Sequence, residues 1–92
     1  MAQKIIRIFK ALSNQTRMDI VSQLLGAKEL SCRQLLSKFS LSQPTLSHHF
    51  NELIDAEILQ VRKEGVSHFY SINNQYLKSL GINMQKIVGG ER

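Results

Sequence analysis

The sequence predicts a mainly α-helical domain with a small β-hairpin, built from about five helices in the order ααααββα. Three observations predict this class. Apolar residues recur at helical spacing over most of the 92 residues, the spacing changes to alternation only near residues 58–72, and Gly65 is the one glycine within that alternating stretch. We expect a single domain covering residues 1–92 that buries a limited fraction of its surface, which favours a partner subunit.

The first two helices are separated by a short polar break. Residues 3–12 form one helix with a wide apolar face, which consists of Ile5, Ile6, Ile8, Phe9 and Leu12. Ser13 and Asn14 end this helix and offer a cap for a second one, whose apolar positions run from Met18 to Leu25 until Gly26 stops it. The first helix is apolar enough to need a partner.

Two shorter helices and a tight turn follow. Ser31 caps the third helix, and residues 40–42 have the composition of a turn. Ser42 as N-cap and Pro44 in the first turn predict a fourth helix, which ends near Ala56 or Glu57.

The hairpin comprises strands at residues 58–63 and 66–72, joined by a turn at Glu64 and Gly65, where the glycine supplies the positive φ. A last amphipathic segment at residues 74–88 has a break at Gly81. Its apolar stripe consists of Leu77, Leu80, Met84 and Ile87.

The composition excludes several classes of protein. No stretch approaches the roughly 20 consecutive apolar residues of a membrane span, and the N-terminus lacks the apolar core of a signal peptide. We therefore expect a cytoplasmic protein without a membrane span. We also expect no enzyme, because the sequence places no nucleophile, base and orienting group together.

The formal charge of +5 is unevenly distributed. Up to His48 the chain has seven Lys and Arg against two acidic residues, and the rest of the chain is balanced. A basic excess favours polyanionic partners, because each Lys or Arg that meets a phosphate releases condensed counterions. Since many basic proteins of this size simply have a solvated face, the charge alone is weak support for nucleic-acid binding.

The third and fourth helices have the arrangement of a helix-turn-helix, in which the second helix presents its first turn to the major groove of DNA. With Leu46, Phe50 and Leu53 in the core, the opposite face carries side chains that reach bases and phosphates. These are Ser42, Gln43, Pro44, Thr45, Ser47 and His48. We expect Gln43, Ser47 and His48 to contact base edges, and His49 to pack within the domain.

The hairpin can serve as a wing beside the duplex. It carries Arg62, Lys63 and His68, and Arg33 is a further candidate for the DNA backbone. For Arg17, at the start of the second helix, a structural role and a phosphate contact are equally open.

Three blocks of the sequence resemble the ArsR/SmtB family of winged-helix repressors. Residues 9–20 resemble the family's opening KALSDPTRLRIL, residues 41–50 resemble its recognition helix LSQSTVSHHL, and residues 59–65 with 69–73 are similar to its wing. The resemblance implies a homodimeric transcriptional repressor that binds an inverted-repeat DNA operator. It also implies that the helices near 3–12 and 74–88, with the apolar residues named above, form the dimer interface.

Many members of that family sense metals, but this sequence departs from their motifs. The two cysteine positions of the family's Cys-x-Cys are Ser31 and Arg33, and Cys32 lies between them. The last helix of the family supplies Asp and His to a second metal site, and residues 73–92 contain neither. We therefore predict no metal and no cofactor, and a cross-subunit Cys32 pair or a modified thiol stays open.

Two questions remain open at this point. The first is whether the domain binds DNA or is a winged-helix module that sequesters another protein. The second is what relieves repression: an antagonist protein, a small molecule, or no inducer at all.

Overall fold

The computed structural model describes residues 2–89, which form six helices and three strands. The elements in chain order are α1 Ala2–Leu12, α2 Gln15–Leu25, β1 Leu30–Ser31, α3 Cys32–Leu36, α4 Gln43–Asp55, β2 Leu59–Glu64, β3 Ser67–Ile72, α5 Asn74–Ser79 and α6 Met84–Val88. The mainly helical class with a hairpin is confirmed. The predicted domain also includes residues 1 and 90–92, which lie outside the described residues.

Polar side chains fix where the helices begin. The Asn14 side chain accepts a hydrogen bond from the backbone N–H of Arg17 at the start of α2. Ser31 and Gln34 form a reciprocal capping box at α3, and Ser42 caps α4. These three caps are the ones that the sequence predicts, and they satisfy backbone donors that a helix leaves unpaired.

The strands form one antiparallel sheet in the order β1-β3-β2. In the hairpin, Glu64 pairs with Ser67, so the two loop residues are Gly65 and Val66. The predicted turn at Glu64 and Gly65 is therefore wrong by one residue. Gly65 has a φ of 60° at the first loop position, which is where a type II′ turn requires glycine. The two-residue strand β1 is absent from the prediction, because a segment so short shows no alternation.

The core lies between the helices and the sheet. Its centre is Phe50 of α4, which is 1% exposed and whose ring lies 4.3 Å from the ring of Tyr70 on β3, measured between centroids. Leu46 and Leu53 are buried on the same side of α4, as expected. This packing turns the opposite side of α4 outward.

The end of the described chain consists of two short helices instead of one. Gly81, with a φ of 75°, lies in the break between α5 and α6, as the sequence predicts. No helix within residues 2–89 has the length and apolarity needed to cross a membrane.

Candidate nucleic-acid interface

The first turn of α4 carries the predicted contact residues on its outer side. Ser42, Gln43, Pro44, Thr45 and His48 are exposed, and Ser47 is half-buried. The Ser42 hydroxyl accepts from the backbone N–H of Thr45 and donates to its hydroxyl oxygen at 2.9 Å. The Thr45 hydroxyl keeps its own proton, so it can still donate to a phosphate. The first turn of α4 is therefore accessible from solvent.

A cleft separates α4 from the hairpin and brings predicted contact residues together. Its lining includes Gln43 and Ser47 from α4, Arg33 from α3 and His68 from β3. One cation and three polar side chains from three different elements therefore face a common space. This combination suits a ligand that presents both phosphates and hydrogen-bonding edges.

Lys63 and His68 lie on the face of the hairpin that is turned toward the helices. They pair opposite each other in the register, and His68 is two residues from Tyr70, so both lie on the same face as that ring. Tyr70 contacts Phe50 of α4. Both residues are exposed, and His68 lines the cleft beside α4, so both side chains are accessible to a DNA backbone.

Arg62 lies on the opposite face and is engaged within the chain. Its guanidinium Nη2 lies 2.7 Å from a carboxylate oxygen of Glu29, it pairs also with Glu64, and it covers the ring of Phe69 at 4.5 Å. These contacts hold β2 to the segment that precedes β1. They favour a structural role for Arg62 over the predicted DNA contact, and nothing in the sequence around Glu29 signalled this partner.

Replacing Arg62 by methionine is expected to raise the titration midpoint of Glu29. Hydrogen bonding by Arg62 holds the pKa of the Glu29 carboxyl below its ordinary value of 4.5. A depressed pKa means that the pair stabilises the fold above the ordinary value and that this contribution is lost as pH falls through the lowered pKa. Carboxyl carbon shifts measured by NMR as a function of pH would check the change.

The matched control for this measurement is Lys63→Met, the next residue on the same strand. It removes a cation from the other face and should leave the Glu29 midpoint where it is. An Arg62→Met protein with an unmoved Glu29 midpoint would show that the ion pair does not form in solution.

Arg17 has its guanidinium between helices. Its Nε donates to the carbonyl oxygen of Ala11 at 2.6 Å, and its Nη1 lies 3.3 Å from Nδ1 of His49. Of the two roles left open by the sequence, these contacts favour the structural one. His49 is half-buried and bonded within the domain, as expected.

The predicted dimer residues divide into three groups by exposure. Ile8, Leu12, Leu77 and Met84 are buried in the core of the chain itself, and Ile5 and Leu80 are half-buried. Ile6, Phe9 and Ile87 remain exposed by 54%, 50% and 38%. Within this set of residues, the apolar surface available to another molecule therefore comes mainly from α1 and from the end of α6.

Cys32 is half-buried at the start of α3, and burial raises the pKa of its thiol. Within residues 2–89, no group of three or more His, Cys, Asp and Glu side chains is close enough to hold a metal ion. A raised thiol pKa also disfavours the thiolate, which is the form that binds metals and reacts with oxidants. The predicted absence of a sensory metal remains a prediction.

An exposed helical turn, braced by a preceding short helix and flanked by a hairpin, defines a winged helix-turn-helix protein. The sequence profile of a helix-turn-helix domain matches residues 12–62. The arsenical resistance operon repressor of Staphylococcus xylosus is 41% identical over 80 residues, which are 87% of this chain and 76% of that protein. The chain belongs to the ArsR family of winged helix-turn-helix transcriptional repressors, which are not enzymes.

Solved structures share the fold. HlyU from Vibrio cholerae, a transcriptional activator, superimposes with a TM-score of 0.75 at 33% identity, over 86% of this chain and 85% of that one. A homodimeric winged helix-turn-helix DNA-binding domain from Mycobacterium bovis has a TM-score of 0.75 at 23% identity, over 86% of this chain and 72% of that one.

Proposed function

We propose that this protein is a cytoplasmic homodimer that represses transcription, including that of its own gene where the operator lies there, by binding an inverted-repeat DNA sequence. The observation that carries the proposal is the exposed first turn of α4 beside a cleft lined by Arg33, Gln43, Ser47 and His68. The repressor name of the Staphylococcus relative and the homodimeric Mycobacterium neighbour support it.

In the proposed complex, α4 enters the major groove. The Gln43 amide can donate to and accept from one adenine edge, and Ser47 and His48 reach neighbouring bases. Ser42 and Thr45 contact phosphates at the helix N-terminus, where the backbone N–H groups also favour negative charge. A two-fold dimer places its two α4 helices in successive major grooves about 34 Å apart.

The wing and α3 supply contacts that do not depend on sequence. Lys63, His68 and Arg33 lie around the cleft or on the face beside it, and we assign them to the DNA backbone. Arg62 contributes by holding the hairpin, and Arg17 by its contacts with Ala11 and His49. The assignment separates sequence choice, made by Gln43, Ser47 and His48, from anchoring, made by Arg33, Lys63 and His68.

Selection of bound DNA from a random pool by the purified protein tests this function. We expect enrichment of an inverted repeat whose half-sites are about one helical turn apart. A pool without any enriched sequence, together with binding explained by charge alone, would contradict the proposal. That result would favour the alternative function, in which the winged-helix domain sequesters another protein.

We also propose that the repressor works without a resident metal. Ser31 and Arg33 occupy the family's cysteine positions, and the cation of Arg33 would repel a metal ion. Protein purified without chelators and analysed by inductively coupled plasma spectrometry should hold far less than one zinc per chain. Stoichiometric zinc released only by denaturation would refute this proposal.

A further inference from the structure

One side chain joins three helices of this domain. From the first turn of α2, Arg17 donates to the carbonyl oxygen of Ala11 on α1 at 2.6 Å and reaches Nδ1 of His49 on α4 at 3.3 Å. Its own backbone N–H is held by the Asn14 cap at 3.1 Å. Arg17 and His49 are both half-buried. The contact therefore ties the DNA-facing helix to the α1–α2 junction.

The chemistry of the contact fixes the state of the histidine. A guanidinium has donors only, so the Nδ1 atom that faces it must be the unprotonated acceptor. The proton of the neutral ring is then on Nε2. Protonation of Nδ1 would remove the acceptor and place two cations against each other.

We propose that Arg17 and His49 are positioning residues that hold α4 in its DNA-binding orientation only while His49 is neutral. This proposal rests on the proposed function. His49 is adjacent to His48, with 5.6 Å between the two ring centroids, and two positions from Ser47. Contact residues act only when held within about 0.5 Å of their working geometry. The Arg17–His49 contact, which we call the strut, lies beside these residues and therefore governs sequence recognition without touching DNA.

The surroundings of the pair agree with a neutral His49. Burial, the charge of Arg17 and that of His48 lower the pKa of His49, in this order, and Glu52 opposes them. The other charged groups that line the cleft beside Arg17 are Arg7 and Lys10 on α1 and Asp55 on α4. In this cleft the cations come from α1 and α2, and the carboxylates of Glu52 and Asp55 come from α4.

The direction of the pH effect follows from the lowered pKa. The strut is complete above the ordinary histidine value of 6.5 and is lost as pH falls through the lowered pKa of His49. A basic DNA-binding protein normally gains affinity when its histidines become charged. Here we expect the preference for operator over unrelated DNA to fall on acidification, while binding to unrelated DNA does not.

The test compares operator and scrambled DNA by fluorescence anisotropy at pH 7.5 and at an acid pH where the imidazole shifts show His49 protonated, with circular dichroism to show that each protein stays folded. His49→Asn places a non-titrating acceptor where Nδ1 lies, and it should keep the operator preference at both pH values. His68→Asn removes a histidine that we assign to the DNA backbone, so it should weaken binding to both duplexes alike, while the ratio of the two affinities should still fall on acidification. Arg17→Lys keeps the positive charge but has one nitrogen in place of the two that contact Ala11 and His49. The variant should bind the operator roughly tenfold more weakly at pH 7.5.

A readout without DNA completes the test. Imidazole nitrogen shifts of the free protein should give the Nε2–H tautomer for His49, and the amide shifts of Gln43 and Ser47 should follow its titration. If the wild-type protein selects its operator but its operator preference has the same pH dependence as that of His49→Asn, the proposed role of the Arg17–His49 contact is wrong and the proposed function still stands. A protein that selects no DNA would overturn the proposed function, and the amide shifts would still decide whether His49 orients α4.

Discussion

Replacing Gln43 and His48 together by alanine is expected to remove most of the discrimination between the operator and unrelated DNA. Both side chains are exposed on the first turns of α4, so their loss costs the fold little. Each base contact is worth about 1–3 kcal/mol, and the pair together approaches the roughly 4–10 kcal/mol that separates specific from non-specific binding. Titration of operator and scrambled duplexes at one fixed salt concentration would measure the ratio.

The matched control is Gln23→Ala, which removes an exposed glutamine from α2. It should leave both affinities unchanged. A double variant that keeps the full ratio would show that the assigned face of α4 is wrong. Equal weakening on both duplexes would instead show that Gln43 and His48 contact phosphates and that other residues choose the sequence.

Replacing Ile6 and Phe9 by aspartate is expected to convert the proposed dimer into monomers and to reduce operator affinity by about a thousandfold. Both side chains are about half exposed on α1, so a charge there is tolerated by the single chain. The same charge would be buried without a partner in an apolar interface. A monomer reaches one half-site only and falls toward non-specific affinity, which is typically about 10³-fold or more weaker.

Sedimentation equilibrium and operator titration on the same samples would check this expectation. The control is Val66→Asp, because Val66 at the tip of the hairpin is 100% exposed and the substitution again replaces an exposed apolar side chain by aspartate. It should leave the oligomeric state unchanged. A double variant that sediments as a dimer would place the interface elsewhere than on the exposed side of α1.

The elements that the sequence predicted well are those whose signals are local. Asn14, Ser31 and Ser42 are caps because each is a short polar residue directly before a helical apolar pattern, and the structure has all three. The hairpin was found from alternation, but its turn was placed one residue early. Alternation does not distinguish a loop that begins at Glu64 from one that begins at Gly65, and only the cross-strand register decides.

The candidate site was predictable where it is helical and less so where contacts are distant in the chain. The outward side of α4 follows from its apolar stripe, with Phe50 inside. The partner of Arg62 is Glu29, 33 positions away, and that of Arg17 is His49, 32 positions away. Neither contact shows as a periodic pattern, so the sequence predicts a DNA contact for Arg62 and leaves Arg17 open between a structural role and a phosphate contact.

The order of the sheet limits how copies of this molecule can associate. Within the described residues, β2 forms one edge and ends in the charged run Arg62, Lys63 and Glu64, while the other edge is the two-residue β1. Short or charged edges give an incoming strand almost no template. Growth by adding sheet to sheet is thus disfavoured at β1 and β2, and the exposed apolar side chains of α1 offer a different route to a closed pair.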